Sequence, residues 1–199
     1  MIKPMLAYKV DQKPIDWTTK VYLQPKLDGV RCIFTKDGAY SRAGNEFKNV
    51  AHIKYDLTDF FRKHPNAVLD GELYNHALKD DFEKIISLVR KQKPTDQDAR
   101  DAESLVQYHV YDTIAEGPDY GDRFNWLIRY LPIAATMTLI KNTVVESQDE
   151  AKMLHSVHLA QGYEGSMLRL NLPYEQKRSY NLQKFKDFSD TEATIMGYE

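Results

Sequence analysis

Val21-Tyr22-Leu23-Gln24 and Val30-Arg31-Cys32-Ile33-Phe34-Thr35 read as two strands, with Pro25-Lys26-Leu27-Asp28-Gly29 as a tight bend between them. Branched and aromatic side chains suit a pleated surface, whereas proline and glycine interrupt it. The bend therefore presents Lys26 between two strand ends. A lysine amine attacks phosphorus only when neutral. Burial, a bound metal, or cations such as Arg31, Lys184 and Lys186 would favour that form. Gly29 lets the backbone turn sharply and come close to a ligand.

Outward from this bend the chain alternates between strand-like and helix-like stretches. Lys36-Asp37-Gly38-Ala39 reads as a hairpin turn, because Asp-Gly tolerates the positive φ such turns need. Ala67-Val68-Leu69, Leu105 to Tyr111, Gly165 to Leu170 and Leu182 to Lys186 are further strands. Helices are predicted at about 56–63, 80–92, 122–131 and 148–161. In the second of these, Phe82, Ile85, Ile86 and Val89 recur at helical spacing, and Asp80-Asp81 suits its N-terminus. The polar run Lys91 to Ser104 reads as an exposed loop. The fold class is α+β: two antiparallel sheets with flanking helices.

Composition bounds the function. The 199 residues, 42% apolar and 28% charged, are those of a globular protein with room for a sizeable core. No apolar run is long enough to span a membrane, and the first residues lack the apolar stretch of a signal peptide. A single cysteine, Cys32, excludes an intrachain disulfide and fits a reducing cytoplasm. The net charge of −2 gives little general attraction to nucleic acid. Arg169 to Lys186 departs from that balance, with Arg169, Lys177, Arg178, Lys184 and Lys186 against Glu175 alone. Tyr174, Tyr180 and Phe185 are interleaved there, a mixture suited to phosphate and nucleotide contact.

Five more pieces carry chemistry, each weak alone. Arg42 in Ser41-Arg42-Ala43-Gly44 offers a guanidinium fork to a phosphate or sugar. Glu72 in Leu69-Asp70-Gly71-Glu72-Leu73 is placed after a glycine bend at a strand end, within reach of a ribose hydroxyl or a metal. Tyr111 in Tyr108-His109-Val110-Tyr111-Asp112 offers a ring on which a base can stack. Glu164, bracketed by Gly162 and Gly165, stands at the entry to an apolar strand. Lys184 and Lys186, two residues apart, share one strand face.

Together, and in this order, these pieces resemble the covalent nucleotidyltransferases: DNA ligases, RNA ligases and messenger-RNA capping enzymes. Lys26-Leu27-Asp28-Gly29-Val30-Arg31 is similar to their lysine motif. The Ser41-Arg42-Ala43-Gly44 element, the string Gly162-Tyr163-Glu164-Gly165-Ser166-Met167-Leu168-Arg169 and the ending Asp190-Thr191-Glu192-Ala193-Thr194-Ile195 resemble ATP-dependent DNA ligases, especially compact phage or viral ones. Tyr111 stands where phenylalanine is common, and Ser166 replaces a usual aliphatic.

The resemblance implies an ATP-grasp-like nucleotidyltransferase domain over 1–188, with the nucleotide groove between the sheets, and 189–199 as the start of a linker to an oligonucleotide-binding domain. It implies that Lys26 takes AMP from ATP, passes it to the 5′-phosphate of nicked double-stranded DNA, and so leads to sealing. Arg42 and Glu72 would contact ribose, and Arg31 would line the nucleotide site. Tyr111 and Met167 would hold adenine. Lys184 and Lys186 would bind phosphates, Arg42 and Arg178 a 5′-phosphate, and Glu164, with Glu72, Mg2+. A monomer acting in the cytoplasm, in replication, repair or recombination, is the implied setting. Without the basic final motif of a downstream domain, ATP binding is expected to persist while self-adenylation and sealing weaken. The alternatives are an RNA ligase or capping-type enzyme, and a non-catalytic DNA-binding relic of the fold.

Overall fold

The computed structural model describes residues 2–185, so Lys186 and the segment 189–199 lie outside the described residues. In chain order the strands and α-helices are β1 (Leu6–Lys9), β2 (Val21–Lys26), β3 (Val30–Thr35), β4 (Gly38–Ser41), α1 (Ala51–Asp56), α2 (Thr58–Lys63), β5 (Leu69–Tyr74), α3 (Phe82–Val89), α4 (Asp96–Leu105), β6 (Gln107–Thr113), α5 (Tyr120–Tyr130), β7 (Met137–Leu139), β8 (Thr143–Val145), α6 (Gln148–Ala160), β9 (Gly165–Leu170) and β10 (Arg178–Phe185). They form two five-stranded sheets, ordered β1-β10-β9-β2-β8 and β4-β3-β5-β6-β7. The α+β class and the two sheets are as expected. The sheets are mixed, however, because β1 runs parallel to β10 and β7 parallel to β6. A parallel neighbour needs a crossover connection, and α5 supplies one between β6 and β7.

The bend after β2 is a passage between sheets. Lys26 ends β2 opposite Gly165 in the first sheet, and Val30 starts β3 opposite Leu73 in the second. Only Leu27-Asp28-Gly29 spans the gap. A Cβ on Gly29 would lie 2.6 Å from both Glu72 Cγ and the Leu73 carbonyl oxygen, so no side chain fits there.

The larger core lies between the second sheet and the helices around it, with Phe34, Ile53, Leu57, Leu69, Leu73, Ile85, Val89, Tyr108 and Leu127 all buried. The smaller core places Val21, Leu23, Val145 and Leu168 of the first sheet against Ala151 of α6. Each large aliphatic buried this way contributes about 1.5–3 kcal/mol.

Two expectations are corrected. The run 91–104 is not all loop: α4 begins at Asp96 behind a capping box, in which Thr95 Oγ1 accepts from the Asp98 amide and the Asp98 carboxylate from the Thr95 amide. With Ala102 its one buried residue, α4 lacks an apolar stripe such as Ile85, Leu88 and Val89 give α3. Asp70-Gly71-Glu72 sits inside β5 rather than past a strand end. The expected helix at 56–63 is preceded by another, α1, and the two meet at Leu57.

Candidate functional site

Between the sheets lies a cavity of about 290 Å3, lined by Lys26, Arg31, Arg42, Glu72, Tyr111, Met167, Arg178 and Lys184 together with Gln24 and Arg169. Eight residues singled out from scattered motifs thus converge on one space. A larger cavity of about 910 Å3 adjoins it and shares Arg31, Arg42 and Glu72. Glu164 does not line either cavity; it reaches the site through Lys26.

Lys26 Nζ donates to Glu164 Oε2 in an ion pair whose side chains are 21% and 19% exposed. Local backbone makes this meeting inevitable. Helix α6 ends at Ala160 and is closed by Gly162, whose φ of 86° is the left-handed conformation that terminates helices and whose amide donates to the Leu159 carbonyl. Tyr163 donates back to the His158 carbonyl, and the Glu164 amide donates to the Lys26 carbonyl, extending the β2–β9 ladder by one rung. Glu164 is therefore held beside Lys26 before any ligand arrives.

The second sheet supplies Glu72 and Tyr111. Register between β5 and β6 slips where Asp70 faces Asp112 and Gly71 faces Val110, leaving Tyr111 as the extra residue of a bulge. Bulges re-aim side chains, and this one lets Tyr111 line the cavity while Asp112 goes to a buried network. The Tyr111 hydroxyl donates to Glu72 Oε2 at 3.2 Å. Burial pushes the Glu72 carboxyl up from 4.5 to about 8, against the opposing pull of Arg31 and Lys26. A carboxyl in that state hydrogen-bonds readily to hydroxyl groups.

Arg31 lines the cavity, but its charge is compensated elsewhere. Its Nε and Nη2 donate to the two oxygens of Asp70 at 2.9 and 2.6 Å, and Nη1 donates to the Met5 carbonyl at 2.7 Å. Tyr174 adds a hydrogen bond to the same Asp70 oxygen at 2.7 Å. Arg31 is thus a cross-tie between the sheets before it is a cation for Lys26. The cations left to face a ligand are Arg42 and Lys184, which form no ion pair with a described residue, and Arg178, which donates to the Ala7 carbonyl at 2.6 Å. Among the described residues no three acidic, histidine or cysteine side chains cluster as a metal cage. The carboxylates at hand, Glu164 beside Lys26 and Glu72 in the cavity, are oxygen donors of the kind Mg2+ takes when it keeps waters and arrives on phosphate oxygens.

A network that no local motif announces, of Gln24, Asp112, Arg123 and Arg169, underlies the cavity. Arg169 donates from Nε to Gln24 Oε1 at 2.6 Å and from Nη1 to Asp112 Oδ2 at 2.9 Å. Arg123 grips both Asp112 oxygens at 2.8 and 3.0 Å, and Gln24 donates to the Tyr120 hydroxyl at 2.9 Å. The Arg169 guanidinium lies 5.1 Å from the centre of the Tyr111 ring, and that of Arg31 5.7 Å. His109 is buried with Nε2 3.1 Å from Gln107 Oε1.

Comparison with known proteins matches this arrangement to one family. The family model for the ATP dependent DNA ligase domain matches residues 4–186. The DNA ligase of Enterobacteria phage T6 is 28% identical over 97% of this chain and 50% of its own length. Structures of a Lig E DNA ligase and of the Chlorella virus DNA ligase-adenylate share the fold, with TM-scores of 0.76 and 0.71 at 21% and 22% identity. They are matched over 94% and 93% of this chain and over 69% and 67% of their own chains. The chain spans about half the length of the first curated relatives it matches. The chain belongs to the ATP-dependent DNA ligase domain family.

Proposed function

We propose that this chain is the adenylation domain of a DNA ligase, with Lys26 as the nucleophile that takes AMP from ATP. One observation carries the reading: Lys26, paired with Glu164, stands at a cavity that also gathers a ring (Tyr111), a carboxyl of raised pKa (Glu72) and the cations Arg42, Arg178 and Lys184. Tyr111 and Met167 hold the base, Glu72 receives ribose hydroxyls, and the cations meet phosphate oxygens. Lys184, with Lys186 beyond the described residues, neutralises charge as the phosphorus is attacked. Attack needs the amine free, so Lys26 parts from Glu164 and loses a proton before its Nζ forms a bond to the α-phosphorus and pyrophosphate leaves. Glu164 and Glu72 would hold Mg2+, which supplies charge neutralisation at the phosphates. The AMP then passes to the 5′-phosphate of nicked DNA, and attack by the 3′-hydroxyl releases it.

The test is incubation with radiolabelled ATP and magnesium, followed by denaturing electrophoresis. Wild type is expected to carry label and Lys26→Ala none. Parallel arms with GTP, and with nicked RNA in place of nicked DNA, separate a ligase from capping-type and RNA-joining relatives. Label from GTP in preference to ATP would overturn the reading.

A further inference from the structure

Beyond the groove, the strand that carries Glu72 is tied to the turn that carries Glu164. Tyr74, the last residue of β5, sits two residues after Glu72, and its hydroxyl lies 2.7 Å from Nδ1 of His76. His76 opens a single 3-10 turn, His76–Leu78, which Asn75 secures by accepting from the Ala77 amide and donating to the Leu105 carbonyl. On its far side, His76 Nε2 lies 3.1 Å from the Gln161 carbonyl oxygen. A carbonyl only accepts, so Nε2 carries the hydrogen, and in the neutral ring Nδ1 is left to accept from Tyr74. The same ring packs on Tyr163 at 4.5 Å between centroids, and the Lys79 stem lies where a Cβ on Gly162 would be.

All three residues of the turn before Glu164 are therefore touched by the segment that follows β5: Gln161 by a hydrogen bond, Gly162 by Lys79 and Tyr163 by ring contact. The turn's own bonds point back into α6 and β2. Tyr163 also packs on the apolar cluster of Leu27, Tyr74 and Ile140, so His76 adds a directional hydrogen bond to an apolar contact. We propose that His76 is a positioning residue for Glu164, a latch that sets the distance between the two carboxyls placed on opposite sheets. This rests on the proposed role of Glu164 at the phosphates. Partners behind the first ligand matter in this way because a carboxylate free to swing binds its ion less well, typically by 10–100-fold.

Two measurements on the full chain decide it. Hydrogen exchange at the Glu164 amide, which donates to the Lys26 carbonyl at 3.1 Å, reads the turn without turnover. In His76→Ala that amide is expected to exchange about tenfold faster, while Leu23 and Leu168 in mid-sheet stay protected. In adenylate formation, His76→Ala is expected to raise the half-saturating magnesium by about tenfold or more, with the KM for ATP within about twofold. His76→Gln, which keeps a donor for the Gln161 carbonyl, recovers most of the loss. Tyr74→Phe gives a smaller change in the same direction and serves if His76→Ala fails to fold. In a Glu164→Gln background, His76→Ala adds no further loss, because both act through one carboxylate. Unchanged exchange at Glu164, or an equal fold-loss with and without Glu164, overturns the latch. If wild type forms no adenylate, the proposed function fails while the exchange measurement still decides the latch.

Discussion

Two sets of ions flank the groove of this molecule, one joining the two sheets at Asp112 and one, Lys26 with Glu164, at the end of the β2–β9 ladder of the first sheet, and they are built to opposite ends. Asp112 is fully buried and accepts from Arg123, Arg169 and the Thr113 amide, with side-chain exposures of 1% and 4% for the two arginines. The Lys26 and Glu164 side chains are each about a fifth exposed, and Lys26 stands at the cavity. A carboxylate surrounded by donors and closed to water cannot leave its partners without stranding two guanidinium groups in the interior. A pair at a cavity edge can part and re-form as solvent or a ligand takes over either member. The first arrangement holds the groove together; the second leaves Lys26 able to take the role proposed for it.

Breaking the buried set is expected to have the largest effect. Asp112→Ala should lower unfolding free energy by about 3–5 kcal/mol, because it leaves buried charge uncompensated. Denaturant unfolding reads this directly. A loss near that of a surface substitution would remove the distinction drawn between the two sets.

Glu72 sharpens the comparison, since it lies between them. Its folded-state pKa of about 8 stands above the ordinary 4.5, so the folded protein holds this proton more tightly than the unfolded chain. The contribution is fully present below pH 4.5 and is lost as pH rises through about 8. Wild type should therefore lose stability relative to Glu72→Gln across that window. Unfolding of both proteins at the two ends of the window checks the sign; parallel curves would contradict it.

Tyr111 comes next. Tyr111→Ala should weaken ATP binding by about 1–3 kcal/mol through lost stacking. Sequence alone suggests that Tyr111→Phe is neutral, because the ring is kept. The hydrogen bond from its hydroxyl to Glu72 changes that expectation to a loss of about 1 kcal/mol in stability. Calorimetric titration and unfolding separate the two effects.

Smallest is Thr95→Ala, which removes the cap of α4 far from either ion set and should cost about 1 kcal/mol with no effect on adenylation.

What the sequence made legible is what sits within a few residues of a local pattern. Lys26, Arg42, Glu72, Tyr111, Met167, Arg178 and Lys184 each belong to a short string, and the structure places all seven at one cavity. The passage at Leu27-Asp28-Gly29 was visible as a bend, but not as a crossing between sheets, because nothing local tells which sheet the next strand joins. Gln24 and Arg169 are 145 residues apart, and Asp112 and Arg169 are 57 apart. Such partners are chosen by the folded chain, so their pairing leaves no periodic trace. The Tyr111 bulge is equally hidden, since Tyr108-His109-Val110-Tyr111 alternates like a regular strand. Helix α4 had a local signal after all: Thr95 followed three residues later by Asp98, a near relative of the capping box, was there to be read.

Whether the exchangeable pair is the chemical one is tested most directly by Lys26→Ala, with stability and labelling measured on the same preparation. The expected result is an unfolding free energy within about 1 kcal/mol of wild type, as for other partly exposed pairs, together with no AMP in the intact mass after incubation with ATP and magnesium. AMP attached at full stoichiometry in Lys26→Ala would contradict the account.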